Sequence, residues 1–453
     1  MSEFIYFYHT NDLHSHFSHW PKIQMFLYER QLLHNEAAED CFTLDIGDFI
    51  DRSHPFTDAT AGKGNSQLLL ETNYDFITIG NNEGITLSKE ELEQLYPKDM
   101  TVLVANLEAK QGEAPTWLHT SAIRVTKKGT KIGFIGVTAP YPLFYEVLGW
   151  KISDPLEALS NEMKKLRKEV DIIVVLSHLG IHQDEVIAER FPAVDIIFGA
   201  HTHHILHYGK EVGNSLLAAG GKFGQYVGMV ELEINDAKNI VNRNAVLYDT
   251  NELDTIEDGP SLEEKLVEEG KRLLSKPVLE TSEWRNLSKK GMKDFYPLFG
   301  DALMEYCNAD CAMFPTGIFL QKFPETVATK WDFHQMLPHP INACKITLSQ
   351  QSFLELYHQA NANEFEMVEV KGLGFRGKLL GKMIFRHVEV KNDCIYLQGK
   401  VVEKHDTIEL ATLDMFTFGY FFPQLATAKI EYFLPLFLRD IFRYYLQGKF
   451  EQE

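Results

Sequence analysis

The sequence predicts an α/β domain with a mixed sheet, followed by a second domain of the α+β class. Three observations carry this. Up to residue 248, short β-rich apolar runs alternate with polar segments rich in Gly, Asn, Asp or His. Helical patterns with start signals stand between several of these runs, the alternation expected of α/β chains. From about residue 276 the pattern changes and a new series of helices and strands begins.

The strand runs are 4–8, 42–46, 76–79, 101–105, 131–137, 171–176, 194–198 and 226–232. Short runs of this kind suit strands buried on both faces. Trp20-Pro21 opens a helix that carries Ile23, Phe26 and Leu27 on one side. Asp154-Pro155-Leu156-Glu157 joins a cap, a first-turn proline and a capping-box Glu, ahead of apolar Leu159, Met163 and Leu166. Residues 123–137, centred on Lys127-Lys128-Gly129-Thr130, predict a hairpin, which makes the sheet mixed. Residues 249–275 form an acidic linker with a helix. Ser261-Leu262-Glu263-Glu264 is its capping box after Pro260, and Leu262, Leu266, Val267, Leu273 and Leu274 are its stripe. The expected domains are therefore 1–248 and 276–453, the second closing on the amphipathic run 433–446.

Composition excludes several classes of function. The 453 residues carry a net charge of −20, which argues against a nucleic-acid binder and its basic stripe. It argues equally against docking on anionic lipid. No apolar run approaches the ~18–20 residues of a membrane span. The N-terminus starts directly as a strand, without a basic n-region, so secretion is not expected. Five cysteines form no Cys-x-x-Cys pair, and their odd number fits a reduced, cytoplasmic protein.

Five strand ends deliver metal-ligand residue types. They are Thr10-Asn11-Asp12-Leu13-His14, Asp45-Ile46-Gly47-Asp48, Ile79-Gly80-Asn81-Asn82-Glu83, Leu176-Ser177-His178 and Phe198-Gly199-Ala200-His201-Thr202-His203. The carboxyl ends of strands are where α/β sheets place ligands. In extended chain, residues i and i+2 face one side, so Asp12/His14 and His201/His203 are each expected to converge on a point. Asp12, Asp48, Asn81, His14, His178, His201 and His203 mix hard oxygen with imidazole, which suits Zn, Mn, Fe or Co better than Ca. Two such ions, offset by two carboxylates and a hydroxide, leave about one positive charge, a centre suited to hold and attack a phosphoryl group.

The series Asp-x-His, Gly-Asp-x-x-Asp, Gly-Asn-x-Glu, Ser-His and Gly-x-His-x-His resembles the calcineurin-like metallophosphoesterases. Thr10-Asn11-Asp12-Leu13-His14-Ser15-His16 is similar to the branch of 5′-nucleotidases, UDP-sugar hydrolases and 2′,3′-cyclic phosphodiesterases. The resemblance is specific over residues 1–235 and looser over 276–446. It implies a four-layer α/β/β/α sandwich with a C-terminal substrate domain. It also implies two divalent ions (Mn, Zn, Fe, Co or Mg) and a small phosphorylated substrate, a nucleotide or nucleotide-sugar, with no nucleic-acid or membrane partner. One ion would take Asp12, His14, Asp48 and His203. The other would share Asp48 and add Asn81, His178 and His201.

Two departures stand out. Where the family has a His that stabilises the phosphoryl transition state, and an Asp that orients it, this chain has Asn82 and Ile85. Asn donates hydrogen bonds but brings no positive charge, and losing one such donor typically costs ~2.7–4 kcal/mol of barrier. His16 and His54, near the first two motifs, are alternative sources of an imidazole. In the second domain, the family's Arg-bearing substrate segment aligns with Phe314-Pro315-Thr316-Gly317-Ile318-Phe319, which has no Arg. Phe422 with Phe365 is a candidate clamp for a base; the competing reading makes 416–422 a core strand. The expected function is a dinuclear hydrolase of phosphate esters or anhydrides. The rival, from another class, is a catalytically weakened metal- and nucleotide-binding sensor.

Overall fold

β1 (Glu3–Thr10) lies inside the first sheet of the computed structural model, which describes residues 2–254, 261–324, 327–362, 365–403 and 405–450. Its companions are β2 (Asp40–Asp45), β3 (Phe76–Ile77), β4 (Val102–Leu103) and β5 (Leu118–His119). A second sheet uses β6 (Ser121–Val125), β7 (Lys131–Thr138), β8 (Ile172–His178), β9 (Ile196–Gly199), β10 (Lys210–Val212) and β11 (Ser215–Ala218). The chain then returns to the first sheet with β12 (Tyr226–Ile234) and β13 (Ile240–Asp249). The two orders are β13-β12-β1-β2-β3-β4-β5 and β10-β11-β9-β8-β7-β6.

Both sheets are mixed, as the hairpin reading requires. β1 runs antiparallel to β12 and parallel to β2, and β6 pairs antiparallel with β7 in the register Val125↔Lys131. Because strand side chains alternate, Phe7 faces inward and its neighbour Tyr8 outward. Phe7 packs 6.2 Å from Phe134 and 6.0 Å from Phe198, rings of the opposing sheet. Tyr8 packs 6.0 Å from Phe26 of α1 (Trp20–Glu36). The far face of the second sheet buries Ile135, Val175 and Ile197 against α2 (Pro155–Leu166) and α3 (Ile181–Arg190). The result is the expected α/β/β/α sandwich. Asp154 caps α2 by accepting the Glu157 N–H at 2.8 Å.

By its contacts the chain divides into one unit of Met1–Asp51 with Phe56–Glu269 and another of Arg52–Pro55 with Gly270–Glu453. The division falls within α4 (Leu262–Leu274), which opens with the reciprocal Ser261/Glu264 capping bonds. Residues 255–260 of the acidic linker, Pro260 among them, lie outside the described residues.

The second unit has its own sheet. Its strands are β14 (Cys311–Pro315), β15 (Asn342–Ser349), β16 (Met383–Arg386), β17 (Thr407–Leu413) and β18 (Lys429–Phe437), in the order β16-β14-β17-β15-β18. α5 (Phe295–Cys307), α6 (Gln350–Ala360) and α7 (Leu438–Phe450) cover it, with Phe299, Phe314, Phe333 and Phe442 in a single core. The run 433–446 is split: its first residues pair with β15, Ala343 opposite Phe433, and only the rest is helix. Strand pairing overrides the helical pattern there. Residues 416–422 are not a core strand; Asp414–Phe416 is a short 3-10 turn followed by bends. All five cysteines are free, and among the described residues no helix is long and apolar enough to cross a membrane.

Asp414 is buried, and burial pushes its carboxyl up to about 7 although the Asn342 N–H donates to it at 3.1 Å. A carboxyl whose folded pKa lies above the unfolded one costs stability as pH rises from about 4 to 7, and the cost is full above that. Asp414→Asn removes the charge and keeps an acceptor. It should raise the urea midpoint at pH 8 and leave it near wild type at pH 4. A variant less stable than wild type at pH 8 would contradict this account of Asp414.

Candidate metal centre

The loops after β1 and β2 are laced together. Asp12 N–H donates to Gly47 O at 3.0 Å, His14 N–H to Asp48 O at 2.8 Å and Ser15 N–H to Phe49 O at 3.0 Å. This ladder carries the strand pairing past the sheet and brings the first two motifs side by side. Asp12, His14, Asp48, His201 and His203 all have left-handed backbones, with φ of 51°, 51°, 52°, 73° and 56°. The expected convergence of Asp12 with His14, and of His201 with His203, therefore arises from left-handed turns, not from extended chain. Non-glycine residues in that region cost ~1 kcal/mol or more each and persist where surroundings enforce them.

Two groups of ligand atoms result, Asp12 with His14 and His203, and Asp48 with His178 and His201. In the first, His14 Nε2 lies 3.3 Å from His203 Nε2 and 3.7 Å from Asp12 Oδ1, and His203 Nε2 lies 3.5 Å from Asp12 Oδ1. In the second, His178 Nε2 lies 3.4 Å from Asp48 Oδ2. Ligands ~2.1 Å from a tetrahedral ion sit ~3.4 Å apart, so these separations match a shared cation. The groups adjoin, since Asp48 Oδ2 is also 3.7 Å from His14 Nε2.

Asp12 and Asp48 are almost fully buried, at 0% and 2% exposure. Burial would raise Asp12, but its contacts with His14 and His203 hold it well below the usual carboxylate range. Burial would lower His178, yet Asp48 beside it raises the imidazole to about 10. Burial and the neighbouring His178 leave His201 near 4. The two buried carboxylates thus favour positive charge beside them, which a metal ion would also supply.

Two orphaned atoms fit a metal. His178 Nδ1 is 2.6 Å from Ile46 O, which fixes the proton there and leaves Nε2 free to ligate. That Nε2 is buried and has no hydrogen-bond partner, and the same is true of Asn81 Oδ1. Asn81 opens a short helix, Asn81–Thr86, so the third motif lies on a helix start and not at the end of a strand. The cradle admits no extra atoms. A Cβ at Gly80 would stand 2.1 Å from Asp48 Oδ1, and one at Gly47, where φ is +84°, would meet Gly80 N at 2.4 Å.

Asn82 does not point at open space; its amide meets His14 Nδ1 at 2.7 Å and Ile50 O at 2.9 Å. His16 stacks on Phe223 with ring centroids 3.8 Å apart, and His54 belongs to the segment grouped with the second unit. Phe365 and Phe422 correct the expectation of a base clamp. Their rings stack directly on one another, centroids 5.1 Å apart, and both are buried. A base between two rings needs roughly 7 Å, twice a van der Waals separation.

The supporting contacts of two residues escaped sequence reasoning. Asn11 donates to Asp12 Oδ2 at 2.8 Å and accepts from Gly220 N–H at 3.0 Å, tying the first loop to a distant one. Glu83 accepts backbone N–H groups from Asp48, Ile50 and Gly80 at 3.0, 3.0 and 2.8 Å. In the second unit, Arg376 lies on a glycine-rich loop paired with Thr316 and Gly317, and its Nε donates to Ser53 Oγ at 3.2 Å. Thr316 N–H donates to Lys382 O and Gly317 N–H to Leu380 O. The Glu in Gly-Asn-x-Glu carried a sequence signal; the contact between Asn11 and Gly220 spans a long separation in sequence.

The calcineurin-like phosphoesterase profile matches residues 5–204. The metallophosphoesterase YunD of Bacillus subtilis is 39% identical over 97% of this chain and 98% of its own. The chain belongs to the metallophosphoesterases. Members of this family hydrolyse phosphate esters. Rat 5′-nucleotidase is 27% identical over 37% of this metallophosphoesterase and 33% of the rat protein. In fold, the chain is similar to Haemophilus influenzae NAD nucleotidase, with TM-score 0.62 at 13% identity over 100% and 99% of the two chains. It is also similar to a 5′-nucleotidase from Candida albicans, with TM-score 0.56 at 16% identity over 98% of each chain.

Glu83 gives a direct test of how the loops are held. Glu83→Ala leaves three buried N–H groups unpaired, each worth ~1–3 kcal/mol. The variant should lose on the order of 3 kcal/mol or more by chemical denaturation and retain less metal. Glu83→Gln, which keeps one acceptor, should lose less. Equal stability of wild type and Glu83→Ala would contradict the assigned role.

Proposed function

We propose that the protein is a dinuclear hydrolase of small phosphate esters or anhydrides, with nucleotides or nucleotide-sugars as the substrate class. The observation that carries this is the position of Asp48 Oδ2, 3.4 Å from His178 Nε2 and 3.7 Å from His14 Nε2, between the two ligand groups. A carboxylate there can serve both. Divalent ions bound in such a pair supply Lewis-acid charge for a phosphoryl group and lower the pKa of water. The chain's own residues hold that pair rigidly: the loop ladder and Glu83 fix the carboxylates, and Ile46 O fixes the tautomer of His178. Nucleotide preference is supported by the names of the 5′-nucleotidases that this chain is similar to. Family membership favours the hydrolase over the sensor reading. A reducing, cytoplasmic setting is part of the same proposal and rests on the odd cysteine count of the sequence.

We assign substrate selection to the second unit and its anion contact to Arg376, which is exposed, as are Lys371, Lys378 and Lys382, on the loop paired with Thr316 and Gly317. Hydrolysis should be screened against nucleotides, nucleotide-sugars, cyclic nucleotides and bis-p-nitrophenyl phosphate, with Mn, Zn, Mg and Co. Activity should require added metal, and Asp48→Asn should abolish it while weakening metal uptake in both groups. Two-equivalent binding with wild-type affinity in Asp48→Asn would sink the bridging assignment.

Arg376→Ala should raise KM for a phosphorylated nucleotide roughly tenfold, the ~1.4 kcal/mol of a charge-assisted contact, with little change in kcat. An unchanged KM would remove Arg376 from the substrate site.

A further inference from the structure

We propose that Asn82 is a positioning residue for the metal ligand His14, and not a hydrogen-bond donor to the substrate. This rests on the metal reading above. The family resemblance puts at this position a histidine that meets the phosphoryl group. In this chain the side chain is committed elsewhere. His14 turns its Nε2 into the ligand cluster, 3.3 Å from His203 Nε2 and 3.7 Å from both Asp12 Oδ1 and Asp48 Oδ2. The opposite ring nitrogen, Nδ1, faces the Asn82 carboxamide at 2.7 Å.

The donor inventory agrees with this contact. A carboxamide nitrogen has two hydrogens, and the partners of Asn82 Nδ2 are His14 Nδ1 and, at 2.9 Å, Ile50 O. With the amide in this orientation both hydrogens are engaged by the protein itself. A neutral imidazole that ligates through Nε2 carries its proton on Nδ1 and needs an acceptor there. The carboxamide can meet both states: Nδ2 donates to a bare Nδ1, and after a half-turn, which releases Nδ2 from both His14 and Ile50, Oδ1 accepts from Nδ1–H. The backbone of Asn82 has a separate task, donating its N–H to Asp48 Oδ1 at 2.8 Å. The residue therefore touches one member of each ligand group, but its side chain serves only the His14 group. Ile85 is consistent with this. An amide pinned between His14 and Ile50 needs no acid three residues on to orient it.

The experiment is a calorimetric titration of the full chain, stripped of metal, with Mn, for wild type, Asn82→Ala, Asn82→Asp and Asn82→His. Wild type should take up two equivalents. Asn82→Ala should weaken one of them by ~10–100-fold, the usual effect of removing a partner that orients a ligand, and leave the other within ~3-fold, because the backbone N–H to Asp48 remains. Asn82→Asp keeps the acceptor for Nδ1–H and should restore that equivalent to within ~3-fold of wild type. Two unchanged equivalents in Asn82→Ala, or equal weakening of both, would overturn the assignment. So would an Asn82→His variant that gains nucleoside-monophosphate turnover with wild-type metal affinity, since position 82 would then act on the substrate. A wild type that binds no metal would overturn the proposed function itself, and this inference with it.

Discussion

Asp12 and Asp48 are carboxylates with almost no access to solvent, set among four imidazoles at the carboxyl ends of four strands. Burying such charges is costly unless they are hydrogen-bonded and met by a cation. Much of the local architecture answers that cost. Asn11 and the His201 N–H support Asp12, and the Asn82 N–H supports Asp48. Glu83 adds a third buried carboxylate, and its task is to gather the backbone N–H groups of Asp48, Ile50 and Gly80. Burial, and then repulsion from Asp48, push Glu83 up from its ordinary value. A divalent cation would relieve this concentration of charge and would satisfy the orphaned His178 Nε2 and Asn81 Oδ1 as well.

The sandwich makes that concentration possible. Two sheets facing across Phe7, Phe76, Phe134 and Phe198 fix the strand ends to which the ligands are attached. The left-handed turns at Asp12, His14, Asp48, His201 and His203 then bend the chain back over those ends. Each turn is unfavourable on its own and is held by the hydrogen bonds between loops. Rigidity of this kind is what a site needs if its ligands are to meet an ion without reorganising. The second unit, with its separate core, carries Arg376 and the stacked Phe365 and Phe422.

Much of this was legible in the sequence because the signals are local. Continuous apolar runs marked the long strands β1, β7, β8 and β12, and Lys127-Lys128-Gly129-Thr130 marked the hairpin. The Asp154 cap and the Ser261/Glu264 box were readable for the same reason. The ligand residue types stood out because each follows an apolar run. Illegible features depend on partners distant in sequence. The 76–79 run shrinks to a two-residue strand because Gly80 and Asn81 are drawn into a helix start by Glu83. Pairing with β15 turns the first part of 433–446 into strand. Nothing in the spacing of Asp12-Leu13-His14 announces positive φ, and nothing near Asn82 announces His14. The Phe365–Phe422 stack was hidden likewise, since aromatic residues that clamp a base and aromatic residues that fill a core have the same composition.

The central claim is that two adjacent groups, joined at Asp48, each hold a divalent ion. Anomalous diffraction from crystals of the Mn-loaded protein tests it most directly. The account predicts two anomalous peaks ~3.5–4 Å apart, one among Asp12, His14 and His203 and the other among His178, His201 and Asn81, with Asp48 touching both. A single fully occupied peak at saturating Mn, or two peaks with Asp48 bound to only one, would contradict it.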